Sequence, residues 1–93
     1  MGLFGVNLGK VLDQVDLQTV GAAIVFTEFN NPCADKGVCN ALRTKLLSGK
    51  SFSKNELKTL AVFLRFMAKQ NGNGVEISDD SGLLGLADKL ENM

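Results

Sequence analysis

The stretch SKNELKTLAVFLRFMAKQ, Ser53 to Gln70, decides the fold. Ser53 with Glu56 three residues on is a capping box: the hydroxyl accepts from the third amide, and the carboxylate reaches back to the Ser53 amide. Glu56 also puts negative charge in the first turn and Lys69 positive charge in the last, both favoured by the helix dipole. Asn71-Gly72-Asn73-Gly74 supplies residues that take a helix-ending left-handed conformation cheaply. Inside these limits Leu57, Leu60, Ala61, Leu64, Met67 and Ala68 recur at helical spacing, which predicts one buried face over about 54–70. Phe63 and Phe66 widen that face. Val62 falls on the opposite side, in a stripe with Lys54, Lys58, Arg65 and Lys69. So the helix is apolar over most of its circumference. It is either buried in the middle of a bundle or shared between its own core and a partner chain. A short chain has little interior in which to hide a two-faced helix.

The remaining segments read as packing partners of this helix. Residues 1–9, MGLFGVNLG, form an apolar arm that is expected to dock rather than hang free. Leu8, Val11, Leu12 and Val15, with Asn7 as cap, predict a short amphipathic helix. Asp16 then predicts the cap of a second helix over Leu17 to Phe29. Its GAAIVF centre is apolar all round, so a strand competes, and length decides for helix. Gly21 inside it costs about 1 kcal/mol relative to Ala, and suggests close approach of another backbone. Asn31-Pro32 breaks the chain into a loop, since the residue before proline avoids the helical region. A third helix over Val38 to Ser48 directs Val38, Cys39, Leu42 and Leu46 inward, with Leu47 at the edge of that set. Gly49 suits its end, and Phe52 with Leu57 has hydrophobic-staple spacing before the central helix. After the glycine turn, Val75-Glu76-Ile77 is too short to count as a strand. Leu83, Leu86, Ala87 and Leu90 predict a last helix, with caps among Ser78, Asp79, Asp80 and Ser81. The expected architecture is all-α: one domain, 1–93, of four to five helices around the central one.

Composition narrows function by exclusion. The 93 residues contain no His, Tyr or Trp and are 45% hydrophobic. Without His the commonest metal ligand and the commonest neutral-pH general base are missing. The carboxylates fall at expected helix ends, so an enzyme is not expected. Cys33 and Cys39 have no His to complete a zinc site. Two free thiols, Cys39 in the core, are expected, and a disulfide closing the loop is the alternative. Lys69 to Asp80 has the outline of an EF-hand calcium loop, but Lys69 stands where an acid is needed and Asp80 where a bidentate Glu is needed. No cofactor or metal is expected. No run is long and apolar enough to span a bilayer. The N-terminus lacks the form of a secretory signal. The expected location is the cytoplasm, or the inside of an intracellular or viral assembly.

Net charge is zero, unevenly laid out. Residues 36–70 carry eight cations against Glu56 alone, +7, and the rest carry two cations against nine acids, −7. The middle either packs against the acidic ends, within the chain or between copies, or meets an acidic partner. The reading favoured is a non-enzymatic structural or regulatory protein–protein interaction module. It self-associates or serves as a small part of a larger assembly such as a virion. Its expected surface is Val62, Arg65, Phe66 and Lys69, with Leu3 and Phe4. The alternative is a small nucleic-acid-binding regulator that follows phosphates with Lys54, Lys58, Arg65 and Lys69.

Overall fold

The computed structural model describes residues 5–71 and 80–93. It is all-α: α1 (Leu8–Val11), α2 (Gln14–Asn30), α3 (Lys36–Ser48), α4 (Lys54–Asn71) and α5 (Asp80–Glu91). The capping box closes as its residues require. The Ser53 amide donates to Glu56 Oε1 at 2.8 Å and the Glu56 amide to Ser53 Oγ at 3.2 Å. α4 is the hub. Its most extensive contacts are with α5, then with α2, while α3 rests on α2. Leu57, Leu60, Ala61, Phe63, Leu64, Met67 and Ala68 of α4 are buried. They meet Leu83, Leu86, Ala87 and Leu90 of α5, Val20, Ala23 and Ile24 of α2, and Cys39 and Leu42 of α3 in one core.

The arm is docked where it is described. Val6 and Phe52 form an isolated antiparallel bridge, with N–H···O distances of 2.9 and 2.8 Å. Gly5 permits it, because a Cβ there would lie 2.7 Å from Ser51 Cβ. The bridge and the staple together bury Phe52 completely beside Leu57. Gly49 ends α3 at φ 69°, the left-handed conformation that favours glycine.

Several local expectations are corrected. α2 starts three residues early, because Asp13 is its cap: Asp13 Oδ1 accepts from the Asp16 amide at 2.8 Å, and Asp16 sits in the first turn. α1 therefore stops at Val11, and the run through Val15 is split between two helices. Leu8 and Leu12 are buried, but Val11 and Val15 are 50% and 69% exposed. Asp35 caps α3, receiving the Gly37 and Val38 amides, so α3 starts at Lys36 and turns Val38 outward. Leu47 is also exposed. Gly21 meets no backbone; a Cβ there would touch only Leu46 Cδ2 at 3.5 Å. The glycine turn, the Val75–Ile77 segment, the Ser78 and Asp79 caps and most of the calcium-loop outline lie outside the described residues.

Candidate functional site

α4 has an outer side as well as a core side. Val62 is 57% exposed there, one turn from exposed Lys58 and two turns from exposed Lys69. Next to Val62 the surface falls into a groove of about 310 Å³. One wall is α4, with Thr59, Val62, Phe63 and Phe66. The other is Val38 of α3 and the loop residues Asn31, Cys33, Ala34 and Asp35, with Thr27 of α2 also lining it. The loop is held by Asn31, whose Oδ1 accepts from the Cys33 amide at 2.9 Å and whose carbonyl accepts from the Ala34 amide at 3.0 Å. Phe66 is half-buried, its ring tilted on Phe26 with centroids 5.8 Å apart. Phe29, 75% exposed, stands near this end of α2 with the Lys36 ammonium 6.0 Å from its ring centroid. Thr27 is buried, and its hydroxyl has no hydrogen-bond partner among the described residues.

The structure brings Val62, Phe66 and Lys69 to this side and engages Arg65 elsewhere. The Arg65 guanidinium grips Glu91 through two hydrogen bonds of 3.0 and 2.7 Å and Asp88 through one of 2.9 Å. These bonds hold the Arg65 proton more tightly than usual and hold the Glu91 carboxyl below its ordinary range. Arg43 pairs with Glu28 at 3.1 Å. Thus two cations of the positive middle are matched by acids of the flanks within the chain. Lys45 pairs instead with Glu56 at 2.6 Å, its ammonium 5.8 Å from the Phe52 ring centroid. Burial works to raise the Glu56 carboxyl, but hydrogen bonds from Lys45 and the Ser53 amide outweigh it and hold the group below its ordinary value. Lys54, Lys58 and Lys69 are exposed and make no ion pair with any described residue. Leu3 and Phe4 lie outside the described residues.

The two cysteines are free thiols in different settings. Cys33 is exposed on the groove wall. Cys39 is in the core, where burial, with the Glu28 and Asp35 carboxylates, pushes its thiol up and makes it a poor nucleophile. Among the described residues no group of three or more acids and cysteines is placed to hold a metal ion. None of their helices is long and apolar enough to cross a membrane. The groove is an apolar slot, with exposed Lys58 and Lys69 one and two turns from Val62 on α4.

Sequence reasoning missed Thr27, Val38 and the loop wall, and no periodic signal pointed to them. Their meeting depends on how residues 31–35 set α3 against α2 and α4. Comparisons with protein-family models, with curated proteins and with solved structures each return no match.

Proposed function

We propose that this chain is a non-enzymatic structural or regulatory protein–protein interaction module that self-associates or serves as a small component of a larger assembly such as a viral particle. The observation that carries this reading is the groove beside Val62. It leaves Val38, Val62 and part of Phe66 without cover side by side on one face. Contiguous exposed apolar surface rimmed by charge marks interaction sites more often than isolated exposed residues do. Light scattering across a dilution series tests it. Mass that rises with concentration is expected; a strict monomer at high concentration overturns self-association.

Nucleic-acid binding is the second reading, supported by the unpaired ammonium groups of Lys54, Lys58 and Lys69 on one side of α4. Arg65 adds little to that stripe, since two carboxylates already engage it. Binding by three phosphate contacts would weaken with salt at a log–log slope of about −3 for duplex DNA. A gel-shift at two salt concentrations measures this, and absence of a shift at low salt removes the reading.

A further inference from the structure

The molecule has a second exposed apolar site with the opposite charge. At the α1–α2 corner Val11 and Val15 are 50% and 69% exposed, and between and beside them stand Asp13 and Asp16. Lys10 adds a cation to this corner, and neither acid makes an ion pair among the described residues. The groove lies at the other end of α2, about 25 Å away at 1.5 Å per residue over the helix. Exposed Lys36, Lys58 and Lys69 each lie within three residues of its lining, beside Asp35, Thr59 and Phe66. Of these, Lys58 also helps to hold the Glu91 carboxyl of α5 below its ordinary range, though no bond joins them. Asp35 is the one acid on the groove wall among the described residues; its Oδ1 accepts from the Gly37 and Val38 amides at 2.8 and 3.2 Å, as Asp13 Oδ1 does from the Asp16 amide.

We propose that copies of this chain join head to tail, the Val11–Val15 corner of one seated in the Val38–Val62–Phe66 groove of the next. The inference rests on the self-association reading above and names its geometry. Charge selects this arrangement. A two-fold contact of groove on groove would set Lys36, Lys58 and Lys69 against their own copies. Corner on corner would oppose Asp13 and Asp16 in the same way. Only corner against groove pairs unlike charges around an apolar centre, and like-charge juxtaposition is what excludes wrong partners at interfaces. Such a contact uses two different patches, so each added copy exposes a fresh corner and a fresh groove. It grows into a ring if the rotation closes and a filament if it does not.

Two variants, each broken at one patch, test it by sedimentation velocity. Val11→Gln with Val15→Gln removes the apolar anchors of the corner and leaves the groove intact. Lys58→Glu with Val62→Glu makes the groove repel the acidic corner and leaves the corner intact. All four positions are exposed, and circular dichroism melts matching the natural chain confirm folding. The natural chain should exceed dimer mass as concentration rises. Each variant alone should stay monomeric, and an equimolar mixture should double in mass and stop there. A mixture that stays monomeric while the natural chain associates overturns the head-to-tail contact and leaves self-association standing. So does a variant that still dimerises alone, since that shows a two-fold contact. A natural chain that stays monomeric overturns both readings.

Discussion

Along its seam with α5, helix α4 meets Leu83, Leu86, Ala87 and Leu90, all buried, and Arg65 closes the outer edge by gripping Asp88 and Glu91. Along its seam with the C-terminal half of α2 and the start of α3, the same helix leaves an open groove of about 310 Å³. The two edges differ in reach. A long guanidinium spans the first gap and finds carboxylates of opposite charge. The second gap is faced by Thr59, Val62, Phe63 and Phe66 on one side and Ala34, Asp35 and Val38 on the other, with no ion pair among the described residues joining the two walls. A helix pair is sealed at its rim by long, complementary side chains rather than by its apolar stripe alone. Where the rim lacks such a pair, apolar surface, here Val62 and part of Phe66, stays uncovered.

The comparison breaks most sharply on one helix. Leu64→Ala removes a fully buried side chain from the sealed core and should cost about 2–5 kcal/mol. Val62→Ala, two residues away on the groove margin, should stay within about 0.5 kcal/mol, as for surface positions without special contacts. Urea denaturation of both variants measures the difference. Equal losses would mean that the groove margin is packed as tightly as the core.

The next effect is at the start of α4. Ser53→Ala deletes one half of the capping box and should lower stability by about 1 kcal/mol. Glu56 gives the other half a pH signature. Its folded-state carboxyl is held below the ordinary value of 4.5, so its contribution is fully present above that pH and is lost as pH falls through the lower folded value. Melts of the natural chain and Glu56→Gln should differ at pH 6 and draw together as pH falls below 4.5. A gap that does not narrow on acidification would mean that something other than the carboxylate charge holds this helix start.

Local chemistry explains why so much of α4 was legible. The cap, the dipole charges and the apolar period all act within a few residues, and each pointed to the same helix. The last helix was legible on the same ground, from Leu83, Leu86, Ala87 and Leu90. At the α1–α2 corner two acids competed for one cap. With Asp13 as cap, Asp16 still sits in the first turn where the dipole favours it, so both gain. Reading Asp16 as the cap carried Val15 into the wrong helix and hid the exposure of Val11 and Val15. Arg65 was read as free because its partners lie 23 and 26 residues on, beyond any local signal. The groove was half legible. Val62 and Phe66 stood out by periodicity, but the opposing wall depends on the turn at 31–35, whose effect on α3 no spacing encodes.

The last expected effect has the opposite sign and lies next to the groove. Thr19 and Thr59, also in helices, satisfy their hydroxyls by donating to the carbonyls of Val15 and Asn55 at 2.9 and 3.0 Å. Thr27 makes no such bond among the described residues, although it is only 1% exposed. A buried hydroxyl without a partner costs about 1–3 kcal/mol in mutational data. Replacing it by a methyl of similar shape removes that cost, because valine has no hydroxyl hydration to lose on folding. Thr27→Val should therefore raise stability by up to about 1 kcal/mol in the same urea experiment. A loss instead would show that the hydroxyl is paired in solution, by a water reaching it through the groove. The base of the slot would then be polar, and a seated partner would have to replace that water with a hydrogen-bonding group rather than with valine methyls alone.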